Sequence, residues 1–152
     1  MHVPAKVEYG IRAMLAMADR KTPTTAQGLA TAQGLPTKFL TTILTDLHRA
    51  GLVTSQRGTE GGYSLACSPS EITIADIMRV LEGPLTEVRG RRPEMTRYEG
   101  AAVHLQEVWV AARASLRRVL EQVTLEDLVV GRLPAGVLEL TEDPDVWTAH
   151  SR

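Results

Sequence analysis

Gly34-Leu35-Pro36-Thr37-Lys38-Phe39-Leu40-Thr41-Thr42-Ile43-Leu44-Thr45-Asp46-Leu47-His48-Arg49-Ala50-Gly51 is the stretch whose reading decides the fold. Phe39, Leu40, Ile43, Leu44 and Leu47 recur at helical spacing and form one apolar stripe. Pro36 suits a first helical residue, whose amide proton would have no partner, and Gly51 suits the residue that closes the last turn. The outer face is unusual. It carries Thr37, Lys38, Thr41, Thr42 and Thr45, where a merely solvated face would carry Glu and Lys, because those favour helix and Thr does not. Short hydroxyl side chains with one cation let a helix approach its partner closely. They reach base edges and phosphates, and Thr methyls can touch thymine methyls.

Upstream, Thr24 or Thr25 can cap a short helix that runs through Gln27, Leu29 and Ala30 to about Gln33. Gly34 then supplies a turn and Leu35 plugs the angle between the two helices, which is the helix-turn-helix pattern. Before it, residues 5–19 place Val7, Ile11, Met14, Leu15 and Ala18 on one face of a helix that Lys21-Thr22-Pro23 ends. Downstream, Leu52 to Arg57 alternates like a strand, and Tyr63-Ser64-Leu65-Ala66 reads as its return. Gly58-Thr59-Glu60-Gly61-Gly62 between them is a hairpin tip. A β-ribbon directly after such a helix is a wing, with Arg57 placed for a phosphate or a narrow minor groove, where negative potential is strongest. The tip glycines allow backbone amides near a sugar-phosphate chain. A nucleotide-binding P-loop is a poor reading of this tip, since no Lys-Ser/Thr ending and no helix follow it. Thr25, Thr37, Lys38, Thr41, Thr42, Arg49, Arg57, Gly58, Thr59, Gly61, Gly62 and Tyr63 are thus the candidate DNA-contacting residues.

Glu71 to Glu82 is predicted as a further helix, with Thr73 and Asp76 as a capping box and Ile74, Ile77, Met78 and Leu81 as its apolar face. Residues 83–100 lose all periodicity and are expected to form a loop. Leu105, Trp109, Ala112, Leu116, Val119 and Val123 are then spaced like a heptad seam on a helix of about six turns. Such a helix exposes more apolar surface than a small domain can cover, so packing against its twin in a symmetric homodimer is the expected solution, with two reading heads facing a palindromic site. Thr124 caps a last short helix from Leu125 to Val130, and 131–152 is expected to be a loosely held tail. The fold class expected is mainly α with a small β-wing. Residues 1–82 form a winged helix-turn-helix domain, 83–100 a loop, 101–130 the dimerisation and short capping helices, and 131–152 the tail.

The 43% hydrophobic fraction is enough for a core, which the 4% of aromatics leaves to aliphatic residues. No window approaches the ~18 consecutive apolar residues of a membrane span, and the N-terminus has no apolar signal region, so no membrane partner and a cytoplasmic location are expected. The net charge of −1 divides unevenly. Residues 1–66 hold seven Lys/Arg (Lys6, Arg12, Arg20, Lys21, Lys38, Arg49, Arg57) against four acids (Glu8, Asp19, Asp46, Glu60), and the remainder ten against fourteen. The basic half is the half argued to touch DNA. Cys67 stands alone, which excludes an internal disulfide and a closed thiolate metal site within one chain, and reads as a half-buried residue at a strand end. His2, His48, His104 and His150 are scattered, with no nucleophile–base pair and no acid pair at suggestive spacing, so an enzyme is not expected.

Tyr9-Gly10-Ile11-Arg12-Ala13-Met14-Leu15, Leu52-Val53 with Arg57-Gly58, Gly61-Gly62-Tyr63 and Val123-Thr124-Leu125-Glu126-Asp127-Leu128-Val129 together resemble the Rrf2 family of bacterial transcriptional regulators, over about Val7 to Val130. The resemblance implies a dimeric regulator, read as a repressor. Its helix from Pro36 to Ala50 would enter the major groove through Lys38, Thr41 and Thr42, and Arg57 would point at the minor groove. Thr59-Glu60 stands where a Pro-Gly pair is common in the family. Cluster-binding members carry three cysteines in the loop before the long helix, whereas residues 85–99 here contain none. No iron–sulfur cluster, no other cofactor and no bound metal are therefore expected, since such clusters are held chiefly by thiolates. Glu8 matches a position that supplies a carboxylate ligand in some members, and His104 lies near the loop's end. Glu8, Tyr98, His104 and Trp109 are the candidates for a pocket that takes a small-molecule or protein effector. The alternative reading is a sensing module of the same family, responsive to an effector or partner protein, whose DNA affinity is incidental.

Overall fold

The computed structural model describes residues 1–149, so His150 and the last two residues of the expected tail lie outside the described residues. Seven α-helices, α1 (Ala5–Asp19), α2 (Ala26–Gln33), α3 (Thr37–Arg49), α4 (Ile74–Glu82), α5 (Leu105–Leu120), α6 (Leu125–Val130) and α7 (Ala135–Leu138), accompany one two-stranded ribbon among the described residues. The ribbon is β1 (Val53–Gln56) and β2 (Gly62–Leu65). Its strands pair antiparallel, with Val53 opposite Leu65 and Gln56 opposite Gly62.

Local chemistry places the helix ends. The Thr25 hydroxyl oxygen accepts from the Gly28 amide at 3.0 Å and starts α2, and Gly34 ends it in the left-handed conformation at φ 64°. Pro36 is extended, with ψ 118°, and caps α3 rather than beginning it. This shifts the helix start by one residue from the sequence expectation. Thr73 and Asp76 form the expected capping box, but it starts α4 at Ile74, and Pro69–Glu71 before it is a separate 3-10 turn rather than the first turn of the helix.

The core draws on every part of the chain. Val7, Ala13 and Met14 of α1, Leu29 of α2, Leu40, Ile43, Leu44 and Leu47 of α3, Ile77 of α4 and Leu125 of α6 are all withdrawn from water. On α1 the buried face is Val7, Gly10, Ala13, Met14 and Met17, with Ile11, Leu15 and Ala18 at its edge. Gly10 is what lets α1 approach α4, because a Cβ there would run into the Leu81 side chain. Phe39, expected on the inner stripe of α3, is 40% exposed and meets Tyr9 edge-on at 5.7 Å instead. It sits one residue off the Leu40–Leu44–Leu47 line, at the rim.

The C-terminal third is sewn into this core. Ile74 donates its amide to the Val123 carbonyl and Leu125 donates to Ile72, both at 3.0 Å, so Thr73 and Thr124 lie side by side in an antiparallel bridge. Each of these threonines caps its own helix and is bonded in return by the acid three residues on. Asp76 accepts from the Thr73 amide and hydroxyl at 3.0 and 2.7 Å, and Asp127 accepts from those of Thr124 at 2.8 and 2.7 Å. Through this seam α6, grouped in the sequence with the long helix, packs on α1.

Two expectations about this end of the chain fail. The long helix has 16 residues, about four and a half turns rather than six, and Val123 is not on it. Val123 is buried in the core, because the chain must leave the helix after Leu120 to reach its bridge with Thr73. Nor is the start of the tail loose, since Leu133 packs on the core and Val137, four residues on, is 9% exposed within it. Cys67 is exposed rather than half-buried, two residues beyond β2 where the chain turns towards Ser68.

If α6 belongs to the N-terminal core, Leu125→Ala should lower the urea-unfolding free energy by about 2–5 kcal/mol, while Val129→Ala, on the exposed side of α6, should change it by less than about 0.5 kcal/mol. The two amide and hydroxyl bonds from Thr124 hold the Asp127 carboxyl below the usual aspartate range. Its contribution to stability is therefore complete above the unfolded value near 3.9 and is lost as pH falls through the lower folded value. Asp127→Asn should flatten the decline of stability below about pH 4, as followed by thermal melts across a pH series.

Candidate nucleic-acid interface

The inner residues Leu40, Ile43, Leu44 and Leu47 fix the rotation of α3, so its opposite face is open. Lys38, Thr41 and Thr42 are exposed there, and Thr37 and Thr45 are half-exposed at its margins. The threonine hydroxyl protons are occupied. Thr41 donates to the Thr37 carbonyl at 2.9 Å, Thr45 to Thr41 at 2.9 Å and Thr42 to Lys38 at 3.4 Å. This back-bonding one turn up the helix leaves both lone pairs of each of these oxygens free to accept, beside the side-chain methyl. In the free protein the surface therefore accepts hydrogen bonds and makes apolar contacts, and only Lys38 on it is a strong donor.

Gln27, which sequence reading passed over as an ordinary helix residue, joins the two helices of the motif. Its carbonyl oxygen accepts from the Thr37 hydroxyl at 3.1 Å while its amide donates to Thr31 at 3.2 Å. A second link was equally invisible, because it spans two elements. His48 at the end of α3 lies 3.5 Å from the Ser55 hydroxyl on β1, so the helix and the ribbon meet through polar side chains on the exposed side.

The ribbon itself is anchored from below. Thr24 and Tyr63 exchange backbone hydrogen bonds at 3.0 and 2.8 Å, adding a bridge to the outer edge of β2, and the Tyr63 side chain packs on the core. Gly62 is required for this. A Cβ there would stand 2.5–2.8 Å from the backbone of Thr24, and its φ of 147° is costly for any side chain. Gly61 donates its amide to Gly58 at 3.0 Å and closes the tip, leaving Arg57, Gly58 and Thr59 in solvent. Thr25 is exposed at the start of α2, and Arg49 at the end of α3.

Charge sharpens the surface. Lys6 pairs with Asp46 at 3.0 Å, fastening α1 to α3, and Arg12 pairs with Glu8 at 3.4 Å while also bonding Gln33. Among the described residues Arg20, Lys21, Lys38, Arg49 and Arg57 make no ion pair, and of the four acids in this half only Asp19 and Glu60 remain. Of these unpaired cations Lys38 and Arg49 lie on α3 and Arg57 follows β1, while Arg20 and Lys21 follow the end of α1; all five are left over for a polyanion.

The effector candidates do not converge. Tyr98 and Trp109 are together, the indole N–H donating to the phenol oxygen at 3.1 Å. His104 points into solvent and lies 3.4 Å from Glu107. Glu8 is engaged with Arg12 on α1, with no contact to these three among the described residues. The loop is nevertheless well held: Gln106 donates to the carbonyls of Glu94 and Thr96, and Arg113 pairs with Glu94, so three side chains on one face of α5 clamp residues 93–98.

Residues 3–131 match the Rrf2 family, described as iron-dependent transcriptional regulators, and the chain belongs to this family. It is 46% identical over 145 residues to a protein of Mycobacterium tuberculosis named as the helix-turn-helix-type transcriptional regulator Rv1287, covering 94% of this chain and 90% of the relative. It is 37% identical over 130 residues to the helix-turn-helix-type transcriptional regulator CymR of Bacillus subtilis, covering 84% and 89%. Among solved structures, that of B. subtilis CymR superposes with a TM-score of 0.73 at 36% identity, covering 86% of this chain and 97% of that one. The IscR of T. potens gives 0.69 at 30%, covering 99% and 94%. The fold is the winged helix-turn-helix of these regulators. The donor set does not fit an iron–sulfur cluster: the loop before α5 has no cysteine, and Cys67 lies beyond the ribbon.

Gly62→Ala should destabilise the domain by about 1–3 kcal/mol. Thermal denaturation reads the loss, and Gly58→Ala, whose added Cβ meets nothing within 4 Å although its φ also is positive, should cost less.

Proposed function

We propose that the chain is a cytoplasmic, homodimeric regulator that binds a palindromic operator and acts without an iron–sulfur cluster, as a repressor where that operator overlaps a promoter. The observation that carries this reading is the open face of α3, with Lys38, Thr41 and Thr42 exposed over a buried stripe and Arg57 uncommitted at the ribbon tip beside it. Lys38 and Arg57 neutralise phosphates and set register, and the threonine oxygens and methyls discriminate bases by accepting from amino groups and by touching thymine methyls.

The dimer reading rests on α5, none of whose residues is buried in a single chain. Of the expected seam, Trp109 faces the loop and Val119 packs on the chain's own core, while Leu105 and Leu116 are half-covered and Ala112 is exposed. Val108, 54% exposed one turn before Ala112, completes a strip of small and apolar residues that suits a second copy. No helix among the described residues is long and apolar enough to cross a membrane.

Selection of bound fragments from genomic DNA at stated salt should return a palindromic site. On that site the paired change Lys38→Ala and Arg57→Ala should weaken binding at least about tenfold and lower the slope of log affinity against log salt by about 2. Site-selective binding unaffected by both changes would overturn the reading. Val108→Glu should shift the protein towards monomer in sedimentation and weaken operator binding with it. Anaerobically purified protein should show no visible cluster absorbance.

A further inference from the structure

A cleft of about 490 Å³ opens between the end of α4, residues 83–86, the 3-10 turn at Pro93–Met95 and α5. Four arginines line it, Arg79, Arg92, Arg113 and Arg117, against a single lining acid, Glu94. The volume falls within the range of small-molecule sites. From the geometry we infer that this cleft binds a small oxyanion, a metabolite bearing two or more negative charges on carboxylate or phosphoryl oxygens.

Two observations support this. First, the protein's own acids leave the arginines under-neutralised. Glu94 takes Arg113, Glu121 alone serves both Arg79 and Arg117, and Asp76, already committed to its cap, lies 3.9 Å from Arg79. The Arg92 guanidinium makes no hydrogen bond or ion pair among the described residues and acts on Glu94 only through its charge. Guanidinium groups present five N–H donors in a planar fork that matches carboxylate and phosphoryl oxygens. Second, the cleft lies on a face of α5 away from Val108 and Ala112. Arg113 and Arg117 share the side that Gln106 and Trp109 turn to the loop, so a second copy packed along Val108 would leave the cleft open.

The cations of this cleft are separate from those of the DNA-facing surface, so the inference stands or falls apart from the operator reading. The test uses the full chain without DNA, melted in inorganic phosphate, pyrophosphate, succinate or citrate, with sodium chloride at matched ionic strength as reference. At least one of the polyvalent anions should raise the melting temperature saturably. Succinate and citrate set against phosphate and pyrophosphate distinguish a carboxylate from a phosphoryl ligand. Arg92→Ala, which breaks no ion pair, should leave the unliganded melt near that of the parent and weaken the anion at least about tenfold. Arg132→Ala, outside the cleft, should bind as the parent does. If no anion exceeds the chloride reference, or if Arg92→Ala responds like Arg132→Ala, the inference is overturned.

Discussion

The angular setting of α3 depends on four side chains, Leu40, Ile43, Leu44 and Leu47, none with measurable exposure. Each stabilises the packed position by about 1.5–3 kcal/mol relative to exposure, as an upper estimate. The threonines on the other side oppose helix formation by no more than about 0.7 kcal/mol apiece. Burial therefore wins, and it wins only at one rotation, because turning the helix by a single residue would bring Phe39 or Thr41 under and lift Leu40 out. The outward face is a consequence of the inward one, and its chemistry is free to suit a partner rather than the fold.

The ribbon and the C-terminal third are set by backbone pairing rather than by side-chain bulk. Thr24 with Tyr63 fixes the ribbon against the body, and Thr73 with Thr124 fixes α6 and the end of α5 against α4. In each case a threonine contributes to a short bridge at the edge of a helix start. The second bridge also means that the chain, on leaving α5 after Leu120, enters the core beside residues 72–74. The start of α4 is thus tied to the start of α6, and α4 itself lies against both α1 and α3.

Much of this was legible in the chain itself, for physical reasons that also mark where legibility stops. The period of Leu40, Ile43, Leu44 and Leu47 and the hydroxyl caps at Thr25, Thr73 and Thr124 are local signals, and they located the helices to within a few residues. The threonine face was readable because it is the complement of the apolar stripe. Signals that depend on distant neighbours were not. Phe39 has the right spacing for burial but meets the rim. Val123 continues a heptad in sequence and leaves it in space, and Val137 sits among Pro, Gly and Ala with nothing to announce that it is covered. The arginine-lined cleft was invisible for the same reason. Its members come from α4, the loop and α5, and residues 83–100 have no periodicity to reveal that Gln106, Trp109 and Arg113 hold them.

The threonine-rich outer face of α3 also has an effect beyond contact. A helix of 13 residues with that composition is too short and too poor in helix formers to persist in water alone. In a chain whose core has not closed, this segment is a coil that carries Lys38 and Arg49 on no ordered face. The ordered outer face is in this way tied to completed burial of Leu40, Ile43, Leu44 and Leu47 on the other side.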